Sequence, residues 1–258
     1  MINTFMGLME SYDNAEILIL PVAYEKTTSY IKGTVNGPKE IIKASYHLEP
    51  YDIELNKTTT EKVLTLDEIN DNVYDHVKEH VNKFLISLGG EHSITPLIVK
   101  AYKEKYANLS VLQLDAHADL LDNPHNKDDH GSVMKRIDEL GCKFMQVGIR
   151  SGNVKRTDNM ILANENIDLK KVLDGLTENV YITIDVDVFD PSLMPATGTP
   201  EPGGLDWYKV VNLLTHVFKH KNVVGCDVTE FMPLENLHYP NFTVAKLVQK
   251  IVLLKQKP

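Results

Sequence analysis

KFLISLGGEHSITPLIVKAYKEKYANLSVLQLDAHAD, residues 83–119, reads as strand, helix and strand in that order. Residues 83–88 and 109–114 are short runs dominated by Leu, Ile and Val. Residues 95–106 between them have helical periodicity. Strands that carry apolar residues without alternation belong in a parallel sheet with helices on both faces. Outward from this unit the pattern repeats, with strands expected at 16–22, 144–149, 180–184 and 223–227 and helices at 38–47, 67–81, 131–140, 206–220 and 242–255. No Ser/Gly-rich linker, charge block or internal repeat interrupts it, so residues 1–258 are expected to form one α/β domain with a mainly parallel sheet.

The bulk properties agree with such a fold and exclude several others. With 43% hydrophobic and 24% charged residues, 14 Gly and 12 Pro in 258 positions, the chain has the make-up of a globular protein with a sizeable core. Its formal charge of -9 and lack of Lys/Arg clusters argue against nucleic-acid binding and weakly favour a small cationic substrate. Cys142 and Cys226 lie far apart and outside any CxxC pair, which disfavours disulfide scaffolds and thiolate zinc sites. The opening MINTFMGLMESYDN lacks the basic and apolar blocks of a secretory signal, and no apolar run reaches the ~18 residues of a membrane span. A cytoplasmic protein without membrane contact is the expectation.

Three expected strands end in groups capable of chemistry. The strand at 109–114 runs into Asp115, His117 and Asp119 at alternate positions, which share a face where the chain is extended. That at 180–184 runs into Asp185 and Asp187, and that at 83–88 into Gly89, Gly90, Glu91 and His92. Each cluster alone has an ordinary explanation, since Asp and His commonly cap helices or form turns at strand exits. Together they bring four Asp and two His to one sheet edge, where ligands of open parallel sheets bind, and that many ionisable groups call for a cation. Oxygen-rich ligation with two imidazoles suits Mn²⁺ better than a thiolate or all-His zinc site. Six side chains can serve two metals, an arrangement that brings the pKa of a bound water near neutrality and makes hydroxide the expected nucleophile.

GGEHS (89–93), DAHAD (115–119) and TIDVDVFDPSLMPATGTPEPGG (183–204) resemble the signatures of the ureohydrolase family, which includes arginases and agmatinases. CDVTEFMP (226–233) and Asp129-His130-Gly131 extend the match, which spans residues 89–230. The resemblance implies a three-layer α/β/α sandwich and two Mn²⁺ per chain. It implies that Asp115 and Asp185 bridge the ions, that His92 and Asp119 complete one site, and that His117 and Asp187 complete the other. Glu230 would bind the substrate guanidinium through paired hydrogen bonds, its alternative being a surface acid at a strand end. His130 would shuttle protons, with His125 a nearby alternative, and Asp119 would pass a proton as the tetrahedral intermediate collapses to urea and an amine. Trimers or hexamers are the assemblies the resemblance suggests.

Within that family, Leu121 stands where arginases place an asparagine that contacts the substrate carboxylate, and Asn126 and Asp128 replace two further arginase positions. VGIRS (147–151), GTPEPGG (198–204) and Asp129-His130-Gly131 look like agmatinases instead. Agmatine, cleaved to putrescine and urea, is therefore the expected substrate. Arginine, guanidinobutyrate, guanidinopropionate and guanidine remain alternatives, and some such relatives prefer nickel. The early first strand and the compact loop at 120–129 depart from agmatinases and bear on assembly and on recognition of the substrate tail. Two other classes are a zinc amide hydrolase of the deacetylase type, which expects one Asp-His-Asp set, and a silent binding protein, which expects lost ligands.

Overall fold

The computed structural model describes residues 4–28, 30–123 and 129–256. Eight parallel strands form one sheet in the order β4-β1-β5-β10-β9-β6-β7-β8. In chain order they are β1 (Ile17–Val22), β4 (Val63–Thr65), β5 (Phe84–Gly89), β6 (Leu109–Leu114), β7 (Lys143–Ile149), β8 (Met160–Leu162), β9 (Asn179–Asp185) and β10 (Asn222–Thr229). A small antiparallel hairpin, β2 (Tyr51–Asp52) with β3 (Lys57–Thr58), stands apart from it.

Helices α1 (Gly37–Ser45), α5 (Leu169–Gly175), α6 (Trp207–His220) and α7 (Tyr239–Lys255) cover one face, and α2 (Val73–His80), α3 (Thr95–Lys105) and α4 (Val133–Glu139) the other. Strand residues divide between the two cores by parity, as a pleated strand requires. Ile17 and Ile19 of β1 face the first core while Leu18, Leu20 and Val22 face the second. In β9, Val180, Ile182 and Ile184 face the first and Tyr181 the second. This is a three-layer α/β/α sandwich, as expected, with all eight sheet strands parallel. No described helix is long and apolar enough to cross a membrane.

Local chemistry sets the element ends. Asp168 and Asp206 cap α5 and α6 by accepting the backbone N–H groups of Lys171 and Lys209 at 3.0 and 2.8 Å. The helix expected from residue 67 begins only at Val73, because Asn72 has φ 49 and Ile69 is bridged to Val22. For the site, the main consequence of the topology is that β10 and β9 lie between β5 and β6. Four neighbouring strands thus deliver their carboxyl ends to one place.

Candidate metal centre

His92 follows β5, Asp115, His117 and Asp119 follow β6, Asp185 ends β9 with Asp187 just beyond, and Glu230 follows β10. Two overlapping groups could hold a metal ion: His92, Asp115 and Asp119, and Asp115, His117 and Asp187, with the candidate ligand atoms of each group within 4.8 Å of one another. Asp115 is common to both. Asp185 is placed beside His92, 3.5 Å from its Nδ1, and outside both tight groups. Asp119 and Glu230 have φ of 50 and 61, a conformation that non-glycine residues seldom adopt and that clusters at functional sites.

The backbone holds these carboxylates in place. Asp115 accepts the His117 N–H at 2.6 Å, Asp185 that of Asp187 at 2.8 Å, and Asp187 that of Ala116 at 2.9 Å. Gly90 has to be glycine, because a Cβ there would stand 2.2 Å from the Tyr24 carbonyl oxygen. The Gly90 carbonyl in turn accepts the Glu230 N–H at 2.7 Å.

His92 tests whether the cluster fits a cation. Its Nδ1 is buried without a hydrogen bond, yet oxygens of Asp119, Asp115 and Asp185 stand 3.2, 3.3 and 3.5 Å away. On its other side, Nε2 is 2.8 Å from the Thr183 hydroxyl, which donates to Asp227 at 2.6 Å. Thr183 has spent its proton on Asp227, so Nε2 of His92 must donate, leaving the Nδ1 lone pair for the carboxylate-ringed centre. A divalent ion fits that donor set.

Charge in the cation-free cluster points the same way. Burial and the neighbouring Asp115 push Asp119 up to about 6. Burial, with Asp187 and Asp115 nearby, raises Asp185 well above the carboxylate range, and burial with Asp115 raises Asp187. Burial would also raise Asp115, but His117 and His92 hold it well below. His117, opposed by burial, is drawn up to about 12 by Asp115 and Asp187, and His92 rises well above its usual value among its three carboxylates. The imidazole protons stand in for the charge that cations would supply.

Glu230 is buried, accepts the His92 N–H at 2.7 Å and lies 3.8 Å from His130 Nδ1. The carboxylate of Glu230 raises the His130 pKa against the effect of burial. Both residues line a cavity of about 330 Å³ with His92, His117, Asp119, Leu121, Asp129, Gly131, Asp185 and Thr199. His125, Asn126 and Asp128 lie outside the described residues.

Three supporting residues were not among the expected site residues. Asp227, fully buried beneath His92, accepts from Thr183, Tyr181 and Thr95. Glu91 accepts the N–H groups of Lys26, Thr27 and Thr28, and Thr27 in turn accepts the His130 N–H at 3.1 Å. Arg150 bonds to backbone carbonyls around the site. Their only signal in the sequence is their place inside quoted motifs, Asp227 in CDVTEFMP, Glu91 in GGEHS and Arg150 in VGIRS.

A comparison with known families matches residues 15–254 to the arginase family. The chain belongs to the arginase family. This arginase-family chain is 34% identical over 277 residues to an N(1)-aminopropylagmatine ureohydrolase of Synechocystis sp., covering 94% of this chain and 90% of the relative. With an agmatinase of Pyrococcus horikoshii it shares 33% identity, covering 93% and 92% of the two chains. Among solved structures, the agmatine ureohydrolase of Thermoplasma volcanium superposes with a TM-score of 0.85 at 28% identity, covering 99% of this chain and 94% of the other. Its likeness to these proteins puts the arginase-family chain among hydrolases.

Proposed function

We propose that this protein hydrolyses agmatine to putrescine and urea at a centre holding two Mn²⁺. The observation that carries the substrate reading is the charge of the cavity. Glu230 and Asp129 line it, no Lys or Arg is among its described lining residues, and Leu121 presents an apolar surface. An α-carboxylate such as that of arginine finds no Lys or Arg among the described lining, whereas a guanidinium with an alkylammonium tail finds carboxylates.

The six residues would hold the ions in two groups that share Asp115, His92 with Asp119 on one side and His117 with Asp187 on the other, with Asp185 beside His92. Divalent ions held there would lower the pKa of a bound water towards neutrality and would offset negative charge on oxygen. Glu230, its Oε1 already holding the His92 N–H, keeps lone pairs for the guanidinium and orients its carbon. Asp119 accepts the proton that the attacking water surrenders. His130, whose pKa Glu230 raises, delivers a proton to the departing amine nitrogen, completing urea and a primary amine.

Agmatine carrying an aminopropyl extension is the second reading. The name of the Synechocystis relative favours it, as does Glu201, a partly exposed carboxylate 3.9 Å from His117 Nε2 that offers a second anion to a longer polycation. Urea release from agmatine, N(1)-aminopropylagmatine, arginine, guanidinobutyrate and guanidine, after reconstitution with Mn²⁺, tests both readings. Arginine turned over as efficiently as agmatine would overturn the substrate assignment. Chelation should abolish activity and Mn²⁺ should restore it better than Zn²⁺, given the oxygen-rich ligands; equal recovery with Zn²⁺ would remove manganese from the proposal. The same proposal extends to a cytoplasmic trimer or hexamer, an assembly that light scattering can count.

A further inference from the structure

Arg150 directly follows β7, and its guanidinium is spent entirely on backbone carbonyls. Nη2 donates to Asp187, Glu201 and Phe189 at 2.7, 2.7 and 3.3 Å. Nη1 donates to Gly148 and Val188 at 3.1 and 3.5 Å, and Nε to Pro202 at 3.0 Å. The backbone N–H of Arg150 donates to Ala116 at 2.8 Å, inside the Asp115-to-Asp119 segment. One side chain therefore ties the exit of β7, the turn that carries Asp187 and the loop that carries Glu201.

These attachments all surround the Asp115, His117 and Asp187 group. Asp187 Oδ2 lies 2.7 Å from His117 Nδ1, while Glu201 approaches the other nitrogen of the same ring. Arg150 holds the carbonyls of both acids and so fixes the chain on either side of His117. The His92 and Asp119 group is anchored differently. His92 rests on Thr183 and on Glu230, and the Asp119 carbonyl accepts the N–H groups of Met134 and Lys135.

We propose that Arg150 is a positioning residue for one half of the metal centre, the His117 and Asp187 half, and that the other half is independent of it. The inference rests on the metal assignment proposed above. Geometry explains why Arg occupies this position: a rigid planar fork with five N–H donors can serve carbonyls from three segments at once, whereas a lysine ammonium has three donors at a single point. Without the fork, the Asp187 turn and the Glu201 loop lose their common anchor, and Asp187 samples orientations away from His117.

The test is a Mn²⁺ titration of chelator-treated wild type, Arg150→Lys and Arg150→Ala by calorimetry, with bound metal counted and cooperative melting of the apo proteins recorded. Removing such a support typically costs 10- to 100-fold in metal affinity. The weaker or stronger of the two binding steps, whichever Asp187→Ala also removes, should weaken about 10-fold in Arg150→Lys and about 100-fold in Arg150→Ala. The remaining step should stay within about 2-fold of wild type, as a local effect requires. Arg150→Lys, which keeps the charge, carries the test should Arg150→Ala fail to fold. Two steps weakened alike, or two steps unchanged, overturn the inference while leaving the metal assignment standing. A wild type that takes up no metal overturns both.

Discussion

In the proposed function Glu230 joins substrate recognition to the metal centre while being a ligand of neither ion. Its Oε1 accepts the His92 N–H, a contact that glutamine's carbonyl oxygen can reproduce, so Glu230→Gln should leave His92 and the metal content in place. What is lost is the charge and one acceptor facing a planar cation. In a partly desolvated site that loss costs roughly 2 to 5 kcal/mol, corresponding to at least ~30-fold in kcat/KM. Urea production from agmatine and bound manganese, measured together, check it. Near-normal activity would remove Glu230 from the substrate site, and metal lost along with activity would make it a support of the cluster. At this scale the sequence shows the candidate ligands because they recur at alternate positions where apolar strands stop. It does not show Asp227 or Arg150 at work: the first acts through the Thr183 hydroxyl and the second through carbonyls, and neither contact leaves a spacing to read.

Among the elements, the six longer strands are legible because both of their faces are buried and their apolar runs are continuous. β4 and β8 escape notice as three-residue strands at the edges of the sheet, and α5 because Val172 is its one buried residue, too little to set a helical period. The β2–β3 hairpin is less visible still, being two residues in each strand, yet it makes the most charged buried contact with α7. Lys250, fully buried, donates to Asp52 at 2.8 Å and pairs with Glu54, while Lys246 reaches Asp52 at 3.0 Å. Burial would raise the Asp52 pKa, but Lys250, the Leu55 N–H and Lys246 together lower it to about 2. A carboxylate depressed on folding adds stability above its unfolded pKa and loses it as pH falls through its folded one. The window here is therefore about pH 4 down to pH 2, and the contribution at neutral pH is about 2 kcal/mol. Asp52→Asn, which leaves Glu54 as the remaining carboxylate partner of Lys250, should destabilise the apo protein by roughly 2 kcal/mol at pH 7. Urea denaturation of both proteins at pH 7 and pH 3 should show the gap narrowing with acid. A gap of equal size at both pH values would mean that Asp52 does not titrate in that window.

For the whole molecule the relevant quantity is net charge. The formal value is -9, and two divalent ions bound at the centre would still leave the protein negative. Agmatine carries two positive charges, so the field of the entire chain should draw it in and favour its retention, whereas guanidinobutyrate, formally neutral overall, should feel little of that field. A chain of this length has a radius of gyration of about 18 Å. Screening lengths are ~30 Å at 0.01 M salt and ~10 Å at 0.1 M, so raising the salt should remove the contribution of distant charges while sparing contacts within the site. We expect kcat/KM for agmatine to fall about 3- to 10-fold between 0.01 and 0.3 M NaCl at constant Mn²⁺. The inhibition constant of guanidinobutyrate should move by less than about 2-fold over the same range. Comparing the two slopes separates long-range attraction from a general effect of salt on the enzyme, which would shift both alike. Parallel slopes, or an agmatine value that rises with salt, would show that recognition rests on contacts inside the cavity alone, with the acidic exterior serving solubility.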